Sequence, residues 1–427
     1  MYRAAIWTVA SFLGVLLLAL VFTIGYVSSD DDGGAGAQDT SRNRDTEPSG
    51  DGIDFDTLNE ILDILKDDYF GRDFLSDEQL FEAAINGMLD SLADTGTFYI
   101  DPTTFEFAPD ASGTYEGIGA TVSEQDEEIR ITSFFPDSGA EAAGVRAGDI
   151  VLSVDGESTA GWPLDKAVRR IRGPEGTNVT ITVRHVDGTE EELTVTRTRV
   201  KIASITTSPP GGVLRDALGN DVSDFAYLRI FRFTSPTPDE VEAVVREAEE
   251  SGKRGLIIDL RGNPGGLLDE TVATADLFLD GGTILIEIDR DGNERVFNAR
   301  PGGAALTIPI VLLMDEFSAS GSEVLAAALR DNDRAIIIGE TSFGKGTVNS
   351  PRALEDGGAI YVTIGQWLTP AGVLIDGVGI SPDIEVTPGP FDPLYDPQED
   401  VQVHRAIEHL RSLTVSEEAP VPVTVAP

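Results

Sequence analysis

The sequence predicts an α+β protein of several domains, and three observations predict it. Residues 4–29 carry no charge and are mostly apolar. Between Tyr115 and Thr198, short strand patterns alternate with glycine- and aspartate-rich turns. From Phe225 onward, apolar runs of strand length alternate with stretches of helical spacing, the texture of an α/β core. With 427 residues there is room for two or three folded units. The pattern divides the chain into a membrane helix at 4–29, a flexible linker at 30–52, a helical region at 53–110, a β module at 111–200, an α/β core at 201–390, and a C-terminal helix with a disordered tail at 391–427.

Composition excludes several chemistries. The formal net charge is −43, and phosphate binding needs clustered Lys and Arg, so nucleic acid is not an expected partner. The acidic surface reads as a solubility bias or an adaptation to salt. There is no cysteine, which removes disulfides, thiol catalysis and cysteine metal sites. The three histidines, His185, His404 and His409, are scattered, so a serine–histidine triad is not expected. Neither a metal nor another cofactor is called for.

Taken in order, the apolar stretch includes Phe12 to Val27, long enough to cross a hydrocarbon core of about 30 Å. Arg3 precedes it and Asp30, Asp31 and Asp32 follow, so the positive-inside rule keeps the N-terminus in the cytoplasm and exports the rest. A cleaved signal peptide is the competing reading, with Ala35-Gly36-Ala37 as the cleavage site. That site lies beyond three aspartates and the run is long for a signal, so an uncleaved single-pass anchor is preferred. Residues 30–52 lack large apolar side chains, as a tether does. Helical spacing follows at Phe55, Leu58, Ile61, Leu62, Leu65 and Tyr69, and a second helix opens with Ser76 and Gln79 in capping-box positions.

The β module contains Gly117-Ile118-Gly119 before a strand, a strand at 129–134, a helix at 165–171, and a hairpin of Val179–Arg184 with Glu192–Thr198 around Asp187-Gly188. Beyond Lys201 come a strand at 225–231, an acidic helix at 238–250, and a buried strand at 255–260. That strand ends in Arg261-Gly262-Asn263-Pro264-Gly265-Gly266, followed by a helix at 267–279. A glycine turn between strand and helix offers free N–H groups to an anion, but the lysine and hydroxyl of a P-loop are missing.

The most informative stretch runs from Ile308 to Asn349. An apolar strand, Ile308–Met314, leads through Ser318-Ala319-Ser320-Gly321-Ser322 into a helix, so Ser320 stands where helical N–H groups are unpaired and the dipole favours negative charge. After a second strand at 335–338, Lys345 lies between Gly344 and Gly346. A lysine in such a turn is easily desolvated, and desolvation lets it hold a neutral amine and act as a base. Ser320 and Lys345 are therefore a candidate nucleophile and base.

This segment resembles the carboxy-terminal processing peptidases, or tail-specific proteases, whose core reads S-A-S-A-S-E and then F-G-K-G-T-V-Q. R-x-N-P-G-G is their second signature. The resemblance implies that Ser320 is the nucleophile and Lys345 its base, and Asp331 falls where some members carry a supporting acid. Gly321 replaces the usual alanine, in a role played by a backbone N–H. Asn349 replaces a glutamine that contacts the lysine in relatives, and is one methylene shorter. The oxyanion donors would be Gly321 together with Gly265 or Gly266, and the sequence leaves these two open.

The β module resembles a PDZ domain in the circular order found in these peptidases. Gly117, Ile118 and Gly119 would supply backbone N–H groups to a substrate C-terminal carboxylate. The resemblance spans about Asp54 to Glu385. It implies a ClpP/crotonase-like α/β peptidase core, a protein or peptide C-terminus as substrate, and in some relatives a homodimer formed through the N-terminal helices. The expectation is a membrane-anchored serine endopeptidase with its catalytic part outside the cytoplasm, cutting proteins near their C-termini. The alternative, motivated by Asn349, is a catalytically weak PDZ-containing scaffold.

Overall fold

The computed structural model describes residues 55–72, 75–94, 96–106, 112–125, 128–135, 138–209, 211–387 and 400–415. The expected membrane helix at 4–29, the linker at 30–52 and the tail beyond Val415 lie outside these residues. Among the described residues, no helix is long and apolar enough to cross a membrane.

The chain divides near residue 100 into two compact units. In the first, α1 (Phe55–Asp68) and α2 (Asp77–Asp90) form at the expected positions. Ser76 caps α2, its Oγ accepting the Gln79 N–H at 3.0 Å, and Lys66 pairs with Asp77 at 2.8 Å across the connection. α1 has no buried residue: Phe55, Leu58, Ile61 and Ile64 are all exposed. After β1 (Phe98–Ile100) and the short α3 (Pro102–Glu106) comes the β module.

This module consists of β2 (Thr114–Gly117), β3 (Ala120–Gln125), β4 (Glu128–Phe134), α4 (Gly139–Ala143), β5 (Ile150–Val154), β6 (Glu157–Ser158), α5 (Leu164–Ile171), β7 (Asn178–Arg184), β8 (Glu190–Thr196) and β9 (Thr198–Lys201). β3-β4-β5-β7-β8 make one antiparallel sheet, with β6 on β5. In β7 Val179, Ile181 and Val183 are buried at alternate positions, because successive side chains in a strand face opposite ways. β2 pairs with β9, so the two ends of the module leave side by side.

The core carries β10 (Ile205–Thr206), β11 (Phe225–Ile230), α6 (Thr237–Glu250), β12 (Gly255–Asp259), α7 (Leu268–Asp276), β13 (Thr283–Asp289), β14 (Glu294–Asn298), β15 (Ile310–Met314), α8 (Gly321–Asp331), β16 (Ala335–Gly339), β17 (Thr347–Ala353), β18 (Ala359–Leu368), β19 (Ile384–Glu385) and α9 (Val401–Val415). One sheet has the order β10-β11-β12-β15-β16-β19 and is parallel throughout except for β10. Its central strands are apolar on both faces, as a sheet covered on both sides requires. Leu256, Ile258, Leu312 and Met314 face α6, α7 and α8, whereas Ile257, Val311 and Leu313 face α9. A second, antiparallel sheet pairs β17 with β18, β18 with β13 and β13 with β14.

One helix is shorter than expected. The sequence pattern carried α7 to Leu279, but it ends at Asp276, and Leu277, Phe278 and Leu279 close three-residue turns instead. All three remain apolar core or core-facing residues, which is why the helical spacing appeared to continue.

Candidate active site

The turn between β15 and α8 is held in a strained form. Ser320 has φ +54° and ψ −114°, outside the usual regions for a residue with a side chain, and such positions persist only when the surroundings enforce them. Here they do. Ser318 Oγ donates to the Leu260 carbonyl at 3.0 Å, Ala319 N donates to the Asn263 carbonyl at 3.0 Å, and Ser322 Oγ donates to the same carbonyl at 2.9 Å. The small residues thus lash the serine turn to the R-G-N-P-G-G turn beside it. Ser320 Oγ is buried and faces the first turn of α8 as a capping residue would, yet makes no hydrogen bond of good geometry.

The residue that joins the halves of the site is Glu323. Its Oε2 accepts the Ser320 N–H at 2.7 Å and the Lys345 N–H at 2.9 Å. Its Oε1 accepts Ser342 Oγ at 2.5 Å and the Gly344 N–H at 2.7 Å. One carboxylate oxygen therefore lies within hydrogen-bond distance of the backbone of both Ser320 and Lys345, although 25 positions separate them in the chain. Burial pushes the Glu323 carboxyl above the usual carboxylate range, against the downward pull of its donors Ser342, Gly344, Lys345 and Ser320. The sequence reading gave Glu323 no role. The spacing Ser320-x-x-Glu323 is itself a capping-box signal and could have exposed it.

Lys345 is buried, and the turn around it is fixed: Phe343 N donates to the Ser318 carbonyl at 3.0 Å and Trp367 Nε1 to the Lys345 carbonyl at 2.9 Å. Gly344 and Gly346 are required by space. A β-carbon on Gly344 would lie 2.7 Å from Gly379 N, and one on Gly346 2.7 Å from Asp376 N.

Both glycines left open by the sequence lie against the site, but they differ. The Gly265 N–H donates to Asn263 Oδ1 at 2.8 Å and is spent. Gly266 bridges to Phe233, and its own N–H has no acceptor among the described residues. The close approach of the Gly265 backbone to the serine turn explains that residue: a β-carbon there would stand 2.7 Å from Gly321 N and 2.8 Å from the Ser320 β-carbon. Gly321 opens α8, where an N–H has no intrahelical acceptor. The turns that carry Ser320 and Lys345 meet at Glu323, and the glycine turn packs against Ser320 and Gly321 through Gly265. A hydroxyl, an amine and backbone donors are the groups that acyl transfer needs.

Asn349 is fully buried on β17; its Nδ2 donates to Thr363 Oγ1 at 3.1 Å and its Oδ1 accepts from Thr347 Oγ1 at 3.3 Å. Asp331, expected as a supporting acid, lies at the other end of α8 from Ser320. Eleven residues of helix separate it from Ser320, a rise of about 16 Å. Its carboxylate is occupied at that far end by Arg330 at 3.2 Å and the Ala371 N–H at 3.1 Å. Any support it gives to Ser320 acts along the helix rather than by direct contact.

In the β module, Gly117 is committed to the β2–β9 ladder opposite Thr198. Ile118 and Gly119 give their carbonyls to Ala140 and Phe135, and their N–H groups have no acceptor among the described residues. The expected loop therefore offers two backbone donors. Ile118 itself is buried in the module's core, which anchors the loop. Arg172, which the sequence reading did not single out, stacks its guanidinium over Tyr115 at 4.4 Å and brings positive charge to the start of this loop.

Known proteins match both parts of the chain. The model of peptidase family S41 matches residues 224–386, and that of the PDZ domain matches residues 110–184. The carboxy-terminal processing protease CtpA of Bacillus subtilis is 33% identical over 333 residues, covering 78% of this chain and 68% of its own length. A probable CtpA-like serine protease of Staphylococcus haemolyticus is 35% identical over 325 residues, covering 75% of this chain and 62% of its own. The chain thus spans about two thirds of such relatives. Among solved structures, a photosystem II D1 C-terminal processing protease is 28% identical with a TM-score of 0.45, over 82% of this chain and 90% of that one. The class is a serine-type peptidase that carries a PDZ domain. The chain belongs to peptidase family S41.

Proposed function

We propose that this chain is an exported, membrane-tethered endopeptidase that cleaves proteins near their C-termini with Ser320 as nucleophile and Lys345 as base. The observation that carries it is the shared Glu323 oxygen, which sets the backbones of Ser320 and Lys345 against one acceptor. The PDZ domain takes the substrate's terminal carboxylate on the Ile118 and Gly119 N–H groups and leads the preceding chain to the serine. Burial disfavours the charged ammonium, so Lys345 accepts the hydroxyl proton as Ser320 Oγ bonds to the substrate carbonyl carbon. The carbonyl oxygen, now negative, is met by the Gly321 and Gly266 N–H groups. Collapse breaks the C–N bond, and Lys345 returns the proton to the departing amine. A water then loses a proton to Lys345 and adds to the ester carbonyl carbon; the C–Oγ bond breaks, the acid departs, and Lys345 returns the proton to Ser320 Oγ.

The uncharged stretch at 4–29 supports tethering with the catalytic part outside the cytoplasm. The unburied apolar face of α1 supports a homodimer formed through these helices. Asn349, held on β17 by Thr347 and Thr363, takes the place of the glutamine that contacts the lysine in relatives and positions Lys345.

The test uses the detergent-solubilised chain, its S320A and K345A variants, and an unstructured protein with a free or amidated apolar C-terminus. Cleavage by the parent only, slowed by amidation, is expected. Equal cleavage by K345A would remove the lysine base. Indifference to amidation would remove carboxylate capture. Intact binding without cleavage would favour the scaffold reading.

A further inference from the structure

The C-terminal helix α9 lies beyond both ranges matched by known families, yet it is wired to the glycine turn of the site. Asp400 is its N-cap: its carbonyl accepts the His404 N–H at 2.9 Å, and its Oδ1 accepts the Gln402 and Val403 N–H groups, each at 3.1 Å. The same carboxylate meets Arg261, with Nη1 at 3.0 Å from Oδ1 and Nη2 at 2.8 Å from Oδ2. Gln402 Oε1 accepts from Arg261 Nη1 at 2.9 Å, while Gln402 Nε2 donates to the Val386 carbonyl at 2.7 Å.

Arg261 is the first residue of R-G-N-P-G-G. Its other edge is forked onto Asp259, with Nε at 2.9 Å and Nη2 at 2.6 Å, and Asp259 is fully buried under the Tyr227 hydroxyl at 2.7 Å. From Arg261 the turn continues through fixed points. Gly262 N donates to Asp315 at 2.9 Å, Asn263 Nδ2 to the Ile230 carbonyl at 2.9 Å, and Gly265 N to Asn263 Oδ1 at 2.8 Å. The next residue is Gly266. A planar guanidinium gripped on two edges cannot rotate without breaking one set of bonds, so it transmits position as well as charge.

We infer that Asp400, assisted by Gln402, is a positioning residue for the peptidase reaction: the N-cap of the C-terminal helix holds Arg261, and through it the turn that presents the Gly266 N–H to the oxyanion. The inference rests on the proposed roles of Ser320 and Gly266. It makes α9 a part of the catalytic domain rather than an appended tail, coupling two segments that lie 139 residues apart.

The experiment compares the full chain with D400N, Q402A and S320A in steady-state cleavage and thermal melting. Asparagine caps a helix about as well as aspartate, so D400N preserves the cap while removing the charge that grips Arg261. The expected result is a kcat lowered about 10- to 100-fold in D400N, with KM and melting temperature near those of the parent, and a smaller kcat loss in Q402A. An unchanged kcat in D400N overturns the role. So does a kcat loss that only follows a lower melting temperature, because that is a merely structural effect. Turnover surviving in S320A sinks the underlying reading of Ser320; a dead S320A beside a fully active D400N sinks only the positioning role.

Discussion

Glu323 in the peptidase core and Asp149 in the PDZ domain are both carboxylates without exposed surface, and they are satisfied in opposite ways. Glu323 receives three backbone N–H groups and one hydroxyl. Asp149 accepts the Arg146 N–H at 2.7 Å and His185 Nδ1 at 2.8 Å, and the far side of that ring meets Glu191 at 3.2 Å. Burying an ion without partners costs several kcal/mol, so both had to be compensated. At the active site the compensation comes from backbone N–H groups and a hydroxyl rather than from an ionisable side chain. In the PDZ domain a histidine does it, tying the β7–β8 hairpin to the loop before β5 through a side chain that can itself take up a proton. One carboxylate is held by groups fixed in the backbone of two turns, the other by the Arg146 N–H and a single ionisable ring between two strands.

Removing the core carboxylate has the largest expected effect. E323A leaves four buried donors without their acceptor, at about 1–3 kcal/mol each. We expect turnover to vanish and the melting temperature to fall steeply, while E323Q, similar in shape, recovers part of the stability but little of the activity. An E323A enzyme that melts and cleaves like the parent would show that Glu323 organises nothing.

A smaller effect is expected at the glycine turn. A β-carbon on Gly266 would overlap the Phe233 carbonyl, so G266A must move the donor it carries. Loss of one oxyanion donor lowers kcat about 100-fold or more. We expect that loss in kcat, with KM altered less, in steady-state assays; a KM change alone would assign Gly266 to substrate binding instead.

The mildest prediction concerns His185. Its hydrogen bonds to Asp149 and then Glu191 hold the imidazole above its ordinary value of 6.5, against burial and the charge of Arg146, which itself lies near Asp187. A raised value means that the folded state binds the proton more tightly. This stabilisation is complete below about pH 6.5 and is lost as pH rises through the folded-state value. Melting curves from mildly acidic to mildly alkaline pH should show a decline of a few degrees in the parent that is absent in H185Q. Parallel curves would mean that the ring does not titrate.

Much of the site was readable in the chain because its parts are local. A serine between a buried strand and a helix, or a lysine between two glycines, is specified by neighbours a few positions away. The strands and helices that carry them follow from the spacing of apolar side chains, with the end of α7 as an exception that the same spacing disguised. Glu323 was within reach through its distance of three from Ser320, but a capping pattern alone does not say that the same carboxylate also holds the lysine turn. Asp331 shows the opposite limit. Its place in the motif suggested a role, but helical rise carries it to the other end of α8.

By itself, therefore, the sequence determined that a PDZ-like module precedes an α/β core, where the core's main strands lie, and the identity of Ser320, Lys345 and the glycine turn as candidates. It did so because hydrophobic period and turn chemistry are properties of adjacent residues. Only the tertiary structure decided that Gly265 spends its N–H on Asn263 while Gly266 does not, that Glu323 spans both halves of the site, and that Asp400 meets Arg261. Those outcomes depend on where folded segments converge, and hydrogen bonds between distant segments leave no period in the chain.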